Sequence, residues 1–191
     1  MSVNILLRVQ DLMFRPGAAW EEIKAERSTT ARLLFGYVAV LAATAVVERM
    51  LLDGYRHLVI ESQAAGTAIW STFWQNAPFF LIDLLNIYLA GRIANGLFPP
   101  PADDPGRGLR LAAYAATPLW IARIVVALPW PVFPWLALAA ALYFPYLLYR
   151  GISVLLDRRA SEAMKDTAVL ALSTLFVVGI VNYIVYLFVV L

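Results

Sequence analysis

Long uncharged runs, not alternating positions, set the pattern of this chain. No charged residue occurs between Leu33 and Val47, and none between Ala168 and Leu191. A helix crossing a hydrocarbon core of about 30 Å needs roughly 20 mostly apolar residues at about 1.5 Å rise each. Five segments meet that length, at about 29–52, 78–98, 109–128, 134–150 and 168–191. The last is the cleanest, with Asp166 and Thr167 suited to cap its N-terminus. The first is flanked by Arg32 below and by Glu48, Arg49 and Asp53 above, charges placed to reach opposite interfaces.

Prolines define the remaining boundaries. The apolar stretch from Thr67 to Phe98 would form a helix of about 48 Å, longer than the core, so an interruption is expected at Pro78. Trp70, Phe73 and Trp74 ahead of it suit an interface. Pro118 should kink the third segment and free a carbonyl that needs a partner. The cluster Pro129 to Pro134 predicts a tight hairpin, Pro145 a second kink, and Arg150 with Gly151 the end of the fourth helix. Pro99 to Gly106 reads as an exposed loop. Residues 1–28 form a separate amphipathic segment in which Val3, Ile5, Leu6, Val9, Leu12 and Met13 recur at near-helical spacing. That pattern suits a helix lying in the membrane plane or one packed on the bundle. The uncharged run Val3 to Leu7 is too short for a secretory signal.

Composition changes the picture little. Of the 191 residues 62% are apolar and 15% charged, outside the range of a soluble domain. The net charge of +2 argues against a nucleic-acid surface. With no cysteine there is no thiolate metal site and no Cys nucleophile. Charge placement says more than its sum. Arg8, Arg15, Lys24, Arg27 and Arg32 precede the first span, Arg107 and Arg110 lie in the second loop, and Arg150, Arg158, Arg159 and Lys165 in the fourth. Arg49 and Arg56 stand on the other side. Positive charge collects in the cytoplasm, so the N-terminus is expected there and Leu191 outside, in a cell inner membrane.

An ionisable group inside a span is costly unless paired or hydrated, which singles out Asp83, Arg92 and Arg123. Asp83 and Arg123 are each five residues from the outer end of their spans and should lie at one level. Asp83 and Arg92, nine residues apart, face opposite sides of their helix, so Arg92 is expected to snorkel inward. Asn86 at i+3 from Asp83 and Glu48 at the outer end of the first span can join the pair. Two readings follow: a static clamp between helices, or a proton or ion path. The basic fourth loop can attract anionic headgroups, although positive-inside topology alone also explains Arg150, Arg158, Arg159 and Lys165. His57 and Glu61 are too few ligands for a metal site, and Glu21 and Glu22 read as a solvated face. No phosphate loop, zincin motif or serine elbow occurs, so neither an enzyme nor a cofactor is expected.

Arg15-Pro16 with Trp20 and Ile23, then Tyr114-Ala115-Ala116-Thr117-Pro118, then Tyr146-Leu147-Leu148-Tyr149-Arg150-Gly151 with Glu162-Ala163-Met164 resemble the Yip (Ypt/Rab-interacting protein) family in its bacterial branch. The resemblance covers nearly the whole chain from Leu12, and its motifs are short and apolar. It implies a cytoplasmic N-terminus, a five-helix bundle and no catalytic residues. It does not extend to the longer N-terminal region through which eukaryotic relatives are associated with Rab GTPases. Where bacterial relatives tend to carry a Lys- and Pro-containing stretch, this chain has Asp157-Arg158-Arg159-Ala160-Ser161. The combined expectation is an all-α integral membrane protein with a single domain over residues 29–191. It would act as a scaffold or adaptor that associates with membrane proteins, lipids or copies of itself. The alternative is a small channel or transporter using the polar residues of spans two and three.

Overall fold

The computed structural model describes residues 4–26, 29–61, 64–126 and 133–190, and every element among them is helical. Two short helices come first. α1 (Ile5–Phe14) is capped by the Asn4 side chain, which accepts from the Leu6 and Leu7 backbone N–H groups. α2 (Pro16–Ala25) starts at Pro16, where a missing N–H costs nothing. The pair packs on the bundle through Leu12, Ala19, Trp20 and Ile23, the second of the two arrangements open to the segment. Leu6 and Phe14 remain 80% exposed on the opposite side of α1.

Four helices among the described residues are long and apolar enough to cross a membrane: Thr30–Ile60, Gly66–Leu97, Pro134–Leu155 and Ala160–Val185. The first combines α3 (Thr30–Leu33), a π-helical turn, α4 (Ala39–Tyr55) and a second π turn. It runs on to Ile60, past the expected end near residue 52. The second is α5 (Ala65–Leu97), which passes through Pro78 unbroken. Proline there removes one hydrogen bond from a ladder held by its neighbours on both sides, so the helix continues. At about 50 Å it exceeds the bilayer. Trp70, Phe73 and Trp74, in mutual ring contact, stand exposed on its first half.

The segment expected as the third span takes the form of two helices, α6 (Arg107–Ala115) and α7 (Thr117–Val126), meeting at Ala116. Pro118 causes the break and the adjacent residue repairs it: Thr117 Oγ1 donates to the Tyr114 carbonyl at 2.7 Å, the acceptor that an N–H at position 118 would have used. α6 is the axis of the fold, buried from Gly108 to Ala115. Small residues permit this. A Cβ on Gly91 would sit 2.7 Å from the Leu109 Cα, and one on Gly108 would sit 2.6 Å from the Gly91 carbonyl oxygen, so α5 and α6 cross backbone to backbone. The Gly108 N–H donates to Asn95 Oδ1 at 2.9 Å, and Asn95 Nδ2 donates to the Pro105 carbonyl at 3.0 Å, pinning the proline-rich loop.

α8 (Phe133–Leu155) and α9 (Ala160–Val190) complete the bundle. The expected hairpin at 129–134 lies largely outside the described residues. α8 continues through Pro145 and does not end at Arg150 and Gly151; it stops at Leu155, ahead of Asp157 in the left-handed conformation (φ 51°). α9 begins two turns earlier than expected. Thr167 is therefore inside a helix, its hydroxyl donating back to the Ala163 carbonyl at 2.6 Å rather than capping.

Candidate functional site

Several polar clusters lie within this apolar frame among the described residues. The first joins α5 and α7. Arg123 Nη1 donates to Asp83 Oδ2 at 2.7 Å, with Asp83 13% and Arg123 33% exposed. The Arg123 guanidinium also lies 5.3 Å from the Trp120 ring centroid, a cation–π contact that offsets part of its desolvation. One turn along α5, Asn86 and Asn182 of α9 exchange amide hydrogen bonds at 3.3 and 3.4 Å, and Asn182 Nδ2 also donates to the Val178 carbonyl at 2.7 Å. Asp83, Asn86 and Arg123 border a cavity of about 240 Å³ whose other walls are largely apolar, among them Ala90, Ala112, Trp120, Leu148 and Leu170.

Arg92 is exposed on α5, away from Asp83, as their spacing requires. Glu48 is half-buried on α4. At the far end of the α4–α5 hairpin, Asn76 Nδ2 donates to Asp53 Oδ2 at 3.0 Å, and Glu61 pairs with His57 at 2.8 Å and Arg56 at 3.1 Å.

The second cluster lies at the opposite end and gathers residues from all three motif segments. Trp20 is fully buried, edge-on to Tyr114 at 6.4 Å between centroids. A Cβ on Gly151 would sit 2.7 Å from the Trp20 ring and 2.6 Å from Leu111, so this glycine provides the seat for the indole. Tyr114 packs on Tyr37 with ring centroids 4.7 Å apart and planes tilted by 59°, and the Tyr37 hydroxyl bonds Thr117 Oγ1 at 2.7 Å. Thr117 gives its proton to the Tyr114 carbonyl, so Tyr37 is the donor to Thr117. Pro118 is buried beside them. Arg15 and Pro16 form the α1–α2 corner, and Tyr146 is partly exposed against Tyr143.

Sequence reading missed Arg8. On a periodicity plot it falls on the polar side of α1, yet it is 7% exposed, paired with Glu22 at 3.1 Å and with Glu26, and set 5.8 Å from the Tyr114 ring centroid. Tyr114 Oη donates to Glu26 Oε2 at 3.3 Å. Glu22 is thus a partner, not a purely solvated charge. The available signal was the match of one arginine in α1 to two acids a turn apart, Glu22 in α2 and Glu26 at its C-cap.

The basic fourth loop divides. Arg158 pairs with Asp166 at 3.2 Å and approaches Glu162 at 4.0 Å. Arg150 is half-buried, its guanidinium 2.7 Å from where a Gly17 Cβ would be. Arg159 and Lys165 are exposed. Lys24 pairs with Asp157, and Arg107 lies within electrostatic reach of Asp157 and Arg158. The N-terminal helices, the α5–α6 loop and the α8–α9 turn therefore share one end of the bundle.

The family model described as the Yip1 domain matches residues 11–186, and the chain belongs to that family, a family of membrane proteins. No curated protein and no solved structure matches it.

Proposed function

We propose that this member of the Yip1 domain family is a membrane scaffold or adaptor, working through association with other membrane proteins or with copies of itself. One observation carries the reading: the intramembrane charges Asp83 and Arg123 close on each other. Asp83 is held by Arg123 at 2.7 Å, Asn86 by Asn182, and the space beside them has largely apolar walls. A transport route would need hydrated polar groups in series along the bundle. Outward faces are left for recognition, and on α9 these present Leu172, Leu175, Phe176, Ile180 and Tyr183. Affinity purification of the full chain in mild detergent should recover one membrane partner, or a homo-oligomer, at fixed stoichiometry. Recovery of monomer alone would count against the proposal.

The proposed setting is a cell inner membrane with residues 1–28 in or on its cytoplasmic side and residues 29–191 as one domain. The sharing of one end by Lys24, Arg107, Arg150, Arg158, Arg159 and Lys165 supports that orientation. Exposed Arg159 and Lys165 are the residues of the loop placed to meet anionic headgroups. The absence of native cysteine makes a labelling test direct. Ala102→Cys and Ser161→Cys should react with impermeant thiol reagents from the cytoplasmic side only, and Ala64→Cys from outside only. Labelling of positions 64 and 161 from the same side would overturn the topology.

A further inference from the structure

We infer that α1 and α2 enter the bilayer as an upright helical hairpin, with Phe14 at its tip buried among the acyl chains of the adjoining leaflet. The hairpin stands along α8. Tyr143 Oη donates to the Met13 carbonyl at 3.1 Å, Gly17 lies against the Arg150 guanidinium, Trp20 against Gly151, and Lys24 pairs with Asp157 beyond the end of α8. Levels along the hairpin and along α8 thus advance together, which sets the Arg15 corner deepest and the other ends of α1 and α2 toward the α8–α9 turn. Tyr143 precedes the end of α8 at Leu155 by 12 residues, about 18 Å. α8 is one of the helices long and apolar enough to cross a membrane, so a corner bonded at Tyr143 stands within the stretch that hydrocarbon surrounds.

The side chains match that placement. Leu6, Leu7 and Phe14 are exposed and fall within about 100° of one another around α1. Arg8 is turned inward, where it pairs with Glu22 and Glu26, and this charged rung lies six residues, about 9 Å, from Phe14 along the helix. An amphipathic helix buries its apolar face about 5–10 Å into the headgroup and acyl boundary, so the rung can stay at the surface while Phe14 reaches the chains. Arg15, exposed at the corner, has a stem that carries its guanidinium back toward the phosphates. Continuity identifies the occupant as lipid. Tyr143 and Tyr146 are in ring contact beside Met13, and Leu138 and Leu142 are exposed further along the same helix, a surface that Phe14 extends onto α1. This placement takes from the proposed orientation only the name of the leaflet, the cytoplasmic one, and is independent of which proteins the outer faces bind.

The test is fluorescence quenching of the full chain in nanodiscs of phosphatidylethanolamine and phosphatidylglycerol. A bimane probe is placed on Phe14→Cys, Leu6→Cys, Leu142→Cys or Ser161→Cys, all exposed positions, and circular dichroism checks that each labelled chain keeps its helices. Three quenchers are compared: a nitroxide on a lipid acyl chain, a nitroxide on a lipid headgroup, and iodide in water. Phe14→Cys should lose more emission to the chain nitroxide than to the headgroup nitroxide, as Leu142→Cys does, and none to iodide. Leu6→Cys, nearer the other end of α1, should lose more to the headgroup nitroxide, and Ser161→Cys should lose emission to iodide. Quenching of Phe14→Cys by iodide would put the tip in water, and protection from all three quenchers would put it under a partner protein or a second copy. Either result, beside chain quenching at Leu142→Cys, would overturn the inference while leaving α8 in the membrane.

Discussion

Trp20→Ala should destabilise the bundle by about 3 kcal/mol, the low end of the range for removing a buried tryptophan. The indole is fully buried among Tyr114, Leu111 and the bare backbone at Gly151, and it fastens α2 to α6 and α8. Lipid cannot refill the space, because the site is closed by protein on every side, so the lost dispersion contacts and the cavity both count. Trp20→Phe should cost much less. The Trp20 Nε1 hydrogen is buried with no acceptor among the described residues, and phenylalanine removes that orphan donor while keeping most of the ring. Gly151→Val tests the same contact from the other side, since its added atoms would overlap the indole and Leu111, at about 1–3 kcal/mol. Reversible unfolding in mixed micelles measures all three. Equal losses for the Ala and Phe variants would show that ring volume is not what holds α2.

The second large effect belongs to Asp83 and Arg123. Breaking a buried ion pair by removing one partner leaves a charge without compensation, at about 3–5 kcal/mol when both groups are fully buried. Arg123 keeps a third of its exposure and its contact with Trp120, which places Asp83→Ala nearer about 3 kcal/mol. Removing Asp83 takes this bond from the guanidinium; removing Arg123 takes it from a carboxylate with less exposure. The Arg123→Ala loss should therefore be at least as large. Asp83→Ala with Arg123→Ala should cost less than the sum of the two, with a coupling of about 1–3 kcal/mol. Additive losses would mean that the two groups do not stabilise each other.

Much of this architecture is legible in the residues alone. Uncharged length marked the membrane helices; Asp83 and Arg123 were set at one level by counting from a helix start at Pro78, and they do pair, although α5 begins at Ala65. Helix ends were harder to place, because prolines and caps report local preference. Pro78 and Pro145 sit inside α5 and α8, where the neighbouring hydrogen-bond ladder and packing outweigh one lost bond. Thr167 can cap a helix or bond back to its fourth preceding carbonyl, and only the added turns from Ala160 decide between them. Pro118 did break its segment, and the compensating donor was the adjacent Thr117. The inner cluster was hidden for a different reason. Arg8, Glu22, Glu26 and Tyr114 meet because α1 folds back on α2 at Arg15 and both lie on α6 and α8, a tertiary fact absent from the periodicity of either helix. Asn182 is an amide inside the uncharged run 168–191, but its pairing with Asn86 depends on how α9 rotates against α5.

Asp83 closes upon Arg123 beside a cavity whose other walls are largely apolar, the arrangement on which the proposed scaffold role rests. Ion and proton flux into vesicles containing the purified protein tests that claim most directly. The predicted result is a rate equal to the leak of empty vesicles, for the wild type and for Asp83→Asn alike. A selective flux in the wild type that disappears in Asp83→Asn would contradict it, because that substitution keeps the shape of the side chain and removes only its charge.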